Sequence, residues 1–193
     1  MRKNIKGVLK EAMSTQQLVS IHLEPSNMSS CSVGYVDALD NTKIRLQAIS
    51  LEGENAGYEI RQLDEIYRVD TDTFYLRKIG FLHKNRGKIF SDIDLVHPGD
   101  NSDILFSTLR EAKDKKVLVI FVILWTCDPD DSIIGYVESI TPETVQILSI
   151  DDYGRNDGFI VVNLKEIIAA DCNARKEQII GFLHRKIGDR PHF

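Results

Sequence analysis

The chain has 193 residues, room for two small domains, and its 42% hydrophobic and 27% charged residues are those of a globular protein rather than a disordered chain or a coiled coil. The formal charge is −5 and neither half carries a positive excess, which speaks against duplex DNA as a partner, because neutralised phosphates supply most of such affinity. The longest apolar run, Val117 to Trp125, is strand-sized, so no membrane-spanning helix and no membrane partner is expected.

The first residues, MRKNIKGVLKEAM, lack the apolar stretch and cleavage site of a secretory signal, and Cys31, Cys127 and Cys172 have no metal-type spacing. A cytoplasmic chain with reduced thiols, no metal and no cofactor is the expectation. Residues 4–13 carry Ile5, Val8 and Leu9 at helical spacing. Leu18 to Glu24 then alternates apolar and polar residues, the pattern of a half-buried strand. The segments SVGYVDAL and KIRLQAIS follow, joined by the turn Asp40-Asn41-Thr42, and a loop with Gly53, Asn55 and Gly57 leads into the strand AGYEIRQL. LDEIYRVD suggests a short last strand. The stretch ending IGFLH reads as a helix, judged by Ile179, Ile180, Leu183 and Ile187 in its second occurrence, despite Gly181. Turn residues at His97-Pro98-Gly99-Asp100-Asn101-Ser102 mark a boundary between residues 1–97 and 98–193.

The second half repeats the first. Gly34-Tyr35-Val36 recurs as Gly135-Tyr136-Val137, and Ile79 to His83 recurs as Ile180 to His184, both at an offset of 101. Positions 31–87 match 132–188 at 17 places without a gap, several times what average composition would give. Upstream the offset is 100, matching Leu9, Glu11, Ala12, Leu18 and Val19 with Leu109, Glu111, Ala112, Leu118 and Val119. One residue has therefore been inserted, and the loop-like WTCDPDDS after the first strand of the second copy is best able to absorb it.

A helix followed by about five short strands with glycine-marked bends suggests a small, strongly bent barrel. Gly34, Val36 and Asp40, followed by Ile44 and Leu46, resemble the first motif of the Sm-like (LSm) family, and each copy is similar to an Sm-like or SH3-like barrel. The fold expected is mainly β with short helices: two tandem barrels of about five strands, each with an N-terminal helix. In place of the family's base-holding asparagine stand Lys43-Ile44 and Thr144-Val145, and of its second motif Ile60-Arg61-Gln62 remains in one copy only.

What the resemblance implies is a non-catalytic binding or scaffolding protein. Its single-stranded RNA version uses Asp40, Asn41, Lys43 and Arg61, with Tyr35 and Tyr58 as stacking surfaces. Its protein version uses an exposed strand edge, open to a partner or to a second copy. Nine consecutive apolar residues from Val117 need cover on both faces, so Leu118, Ile120, Val122 and Leu124 are interface candidates. The alternative is an enzyme with a site in a cleft between the copies around His83 and His184, although no P-loop, G-x-G-x-x-G, G-x-S-x-G or H-E-x-x-H motif is present. The acidic residues Asp92, Asp94, His97, Asp100 and Asp103 read as a solvated linker.

Overall fold

The computed structural model describes residues 4–26, 31–91, 95, 103–123 and 132–187. The chain divides into two compact units, Met1–Arg86 and Gly87–Phe193. Each is mainly β, with one five-stranded antiparallel sheet and two helices.

The first unit opens with α1 (Ile5–Thr15), whose start is capped by the Asn4 side chain accepting from the amide of Gly7 at 2.8 Å. Gln16 ends it in the left-handed conformation, φ 50°, and β1 (Leu18–His22) begins at once. β2 (Ser32–Leu39), β3 (Lys43–Ile49), β4 (Asn55–Gln62) and β5 (Arg68–Thr71) follow, then α2 (Phe74–Asn85). The sheet order is β4-β3-β2-β1-β5. The second unit repeats it with α3 (Ile104–Lys115), β6 (Leu118–Ile123), β7 (Ile133–Ile140), β8 (Thr144–Ile150), β9 (Asn156–Asn163), β10 (Ile167–Cys172) and α4 (Arg175–Ile187), in the order β10-β6-β7-β8-β9. Both hydrogen-bonded ladders are open, with β4 and β5, or β9 and β10, at the edges.

The inserted residue falls where its composition suggests. Ile21 pairs with Ser32 in one unit and Phe121 with Ile133 in the other, so the offset changes in the β6–β7 connection.

Because side chains alternate across a sheet, each unit has apolar residues on both faces. On the inner face Val19, Ile21, Val36, Ile44 and Leu46 pack with Leu9 and Ala12 of α1; on the outer face Leu18, Val33 and Ile49 pack with Leu76 and Ile79 of α2. The second unit does the same, with Val119, Phe121, Val137, Val145 and Ile147 under α3, and Leu118, Ile134 and Ile150 under Ile180 of α4. Each fully buried aliphatic side chain contributes about 2 kcal/mol before entropy is subtracted.

One expectation is corrected. β1 is not half-buried: all five of its residues are buried, Ser20 and His22 included. Its alternation reads as solvent-facing, yet β1 is flanked by β2 and β5, and the polar face lies inside because His22 Nε2 meets Asp70 Oδ2 at 3.2 Å.

Gly34 is required by close approach: a Cβ there would lie 2.5 Å from the Gln47 carbonyl oxygen of the neighbouring strand, and Gly135 faces Leu148 in the same way. The polar turns keep their geometry while their residues change. The amides of Thr42 and Lys43 both donate to Asp40 Oδ1 at 2.7 Å, and Thr141 Oγ1 replaces that carboxylate for Glu143 and Thr144.

Candidate functional site: the outer sheet faces

α2 and α4 cover only part of each outer face. Strand register places Leu18, Tyr35, Gln47 and Tyr58 in one row across β1, β2, β3 and β4. The equivalent row in the second unit is Leu118, Tyr136, Leu148 and Phe159. The end of each row buried by the helix is aliphatic, its middle is a half-buried tyrosine, and its far end is an exposed aromatic residue on an edge strand.

That edge is apolar on its outer side in both units. Tyr58 and Ile60 on β4 are 65% and 61% exposed, and Phe159 and Val161 on β9 are each 64% exposed. Two residues apart, each pair points to one side of its strand. Among the described residues, β4 pairs only with β3 and β9 only with β8, which leaves a row of backbone groups open beside each apolar pair.

Beside the tyrosine, both units hollow out at the same place, where the end of the first helix meets the second strand. In the first unit Met13, Gln16, Tyr35, Val36, Asp37 and Gln47 line a pocket of 480 Å³. In the second, a pocket of 470 Å³ is lined by the equivalent positions, now Lys113, Lys116, Tyr136, Val137, Glu138 and Leu148, together with His184 and Arg185. The position and the volume have been kept while the charge has changed.

The matched histidines belong to this frame. His83 Nδ1 donates to the Gly53 carbonyl oxygen at 2.8 Å, and His184 Nδ1 to that of Gly154 at 3.0 Å. A carbonyl can only accept, which fixes the proton on Nδ1. Each ring lies beside the tyrosine of its row, with centroids 6.0 Å apart for Tyr35 and 5.4 Å for Tyr136.

The RNA candidates are spread over three places. Tyr35 and Tyr58 share the outer row. Asp40, Asn41 and Lys43 lie at the β2–β3 turn, where the backbone amides of Thr42 and Lys43 hold the Asp40 carboxyl below the usual range, and Asn41 accepts from Lys6 Nζ at 3.1 Å. Arg61 is on the inner side of β4, paired with Glu59 at 2.6 Å and reaching Ser32 of β2 at 3.4 Å. Arg45, which lies 5.4 Å over the Tyr58 ring, is bound by both oxygens of Asp37.

Of the interface candidates, Leu118 is buried under α4 of its own unit, and Ile120 and Val122 are half-buried. Leu124 lies outside the described residues, as do Cys127, Asp92, Asp94, His97 and Asp100. Asp103 caps α3, accepting from Phe106 at 3.0 Å.

No family model, curated protein or solved structure matches this chain. Its two halves are therefore each other's best comparison, and three features stand out against the repeat. His22, paired with Asp70, is replaced by Val122 at the equivalent position of the second copy; Glu177 takes the place of Leu76; and the exposed apolar pair of the edge strand is kept in kind, Tyr for Phe and Ile for Val. Of these the sequence reading singled out Tyr58 alone, as a stacking surface; His22 and Glu177 fall at positions where the halves differ, and a comparison directed at matches leaves them aside.

Proposed function

We propose that the protein is a non-catalytic binding protein made of two Sm/SH3-like modules, each taking an extended segment of a partner protein along its edge strand. The observation that carries this reading is the exposed apolar pair at matched positions of β4 and β9, beside an open backbone edge. Main-chain pairing supplies affinity and alternate side chains supply selectivity in such complexes. The period of two in Tyr58/Ile60 and Phe159/Val161 suits a strand as the occupant.

The barrel-type reading is supported by curvature. Arg61 of β4 touches Ser32, although register sets Arg61 beside Ile44 and Ile44 opposite Leu39, at the far end of β2 from Ser32. A flat sheet would hold them roughly 25 Å apart. The Sm-like module, a helix before five strongly coiled antiparallel strands, accounts for that reach.

Charge favours protein over RNA as the partner. Single-stranded RNA needs cations free to meet phosphates beside the aromatic rings, whereas Arg45 is held by Asp37 and Arg61 by Glu59. The histidines support a packing role rather than catalysis, since each is bonded to a glycine of its own unit.

A photo-reactive phenylalanine placed at Ile60 or at Val161 in the full chain, irradiated in cells, tests this. The expected product is a covalent adduct to an extended segment of another protein, lost when the second residue of the pair, Tyr58 or Phe159, is changed to Lys. Adducts to RNA, adducts only to further copies of this chain, or none, would overturn it.

A further inference from the structure

The second unit contains a site that the first lacks. At the position of Leu76, which packs on Leu18, Val33 and Ile49 in the first unit, the second has Glu177. Glu177 is only 2% exposed, and its Oε2 has no hydrogen-bond partner among the described residues. A buried carboxylate oxygen without a donor is costly, whereas leucine in the same slot costs nothing of the kind.

Glu177 lines a pocket of 310 Å³ built from the segment Ile89 to Ser91, the end of α3, and the first turns of α4. Gln178 closes one side, accepting from the Ser91 amide at 2.7 Å and donating to the Asn173 carbonyl at 2.9 Å. Lys115, Lys116, Arg185 and Tyr136 line the same pocket, and the last three also line the 470 Å³ pocket. Lys115 is engaged by Glu111 at 2.9 Å and Arg185 bonds the Tyr136 hydroxyl, while no ion pair joins any of these cations to Glu177 among the described residues. In the first unit Thr15, Gln16 and Lys84 occupy the three cationic positions. The carboxylate is thus found only in the second copy, together with two further cations, Lys115 and Lys116, while the third position is cationic in both copies.

We propose that this pocket binds a small zwitterion of the amino-acid class, its ammonium group hydrogen-bonded to Glu177 and its carboxylate held by Lys116 and Arg185. The volume sits at the lower end for ligand pockets, about 300–1,000 Å³, and excludes a macromolecule. A simple cation would meet three positive side chains, and a simple anion would meet Glu177. A small molecule carrying both charges satisfies the orphan oxygen and the cationic rim at once.

Calorimetric titration of the full-length protein with each of the standard amino acids, and with ethylamine and acetate as half-probes, tests the proposal. At least one amino acid is expected to bind with a Kd below about 1 mM, and both half-probes about tenfold or more weakly. Glu177→Leu is expected to abolish binding while leaving the unliganded protein at least as stable, so misfolding cannot explain the loss. Arg185→Ala is expected to weaken binding by about ten- to a hundredfold. Absence of binding by every amino acid up to about 10 mM, or equal binding by Glu177→Leu, would overturn it. Ile60 and Val161 lie outside this pocket, so either result leaves the strand-edge reading to its own experiment.

Discussion

His83 bonds through Nδ1 to the carbonyl oxygen of Gly53 at 2.8 Å, and the same bond recurs between His184 and Gly154. Gly53 and Gly154 have φ of 83° and 80°, and a Cβ on either would fall about on the backbone nitrogen of the histidine, 2.5 and 2.6 Å away. Two matched segments of the repeat, Gly-x-Asn-x-Gly and IGFLH, therefore touch each other in both units. The β3–β4 turn is pressed onto the helix, and only glycine fits beneath it.

Substituting Gly53 or Gly154 by Ala should therefore cost at least about 2 kcal/mol, combining left-handed strain with a collision against helix backbone. Gly57 and Gly158 also have positive φ, 88° and 84°, but open space where a Cβ would stand. Alanine at those positions should cost only the conformational part, about 1 kcal/mol. Urea unfolding of the four variants gives the comparison; equal losses at Gly53 and Gly57 would show that the turn does not bear on α2.

Glu177→Leu should stabilise the protein by about 1–3 kcal/mol at pH 7. Burial pushes the Glu177 carboxyl above the usual carboxylate range. With its folded value above its unfolded one, the side chain's contribution is fully present below the unfolded value and is lost as pH rises through the folded value. The gain from leucine should accordingly be larger at pH 7 than at pH 4. Denaturation midpoints across that range check the sign, and a gain that shrinks with rising pH would contradict it.

Cys172 is half-buried, and burial followed by the charges of Glu177 and Asp171 pushes its thiol up to about 11. At pH 8 its thiolate fraction should fall about two orders of magnitude below that of a free cysteine. In a chain carrying Cys31→Ser and Cys127→Ser, the remaining thiol should react slowly with a maleimide and rapidly after unfolding. Reaction at the rate of a free thiol in the native protein would place Cys172 at the surface.

Much of this architecture was legible in the residues. The 101-residue offset, the single insertion, the four helices and the strand sequence all follow from matched positions and apolar spacing, because local period and turn chemistry are local facts. Burial by a strand distant in sequence is not. Ser20 and His22 read as solvent-facing, yet both are buried in a strand flanked on each side, with His22 reaching Asp70 of the distant β5. Exposure was hidden in the same way: Ile60, Phe159 and Val161 carry no sign of it until β4 and β9 are seen to be edges, and of the four exposed residues only Tyr58 was read as a surface. Arg61 suggested a nucleic-acid contact through its motif, while its partner Glu59 sits two residues away on the same strand face.

The claim that organises all of this is one module copied into two cores. Leu46 and its equivalent Ile147 are both fully buried, one in each inner-face cluster. Leu46→Ala and Ile147→Ala should each cost about 3 kcal/mol, and native-state amide exchange on the full chain reports where that loss falls. Faster exchange confined to residues 4–86 for the first variant and to 103–187 for the second is the expected result. Acceleration spread evenly over both halves by either substitution would mean a single shared core, and would contradict the account.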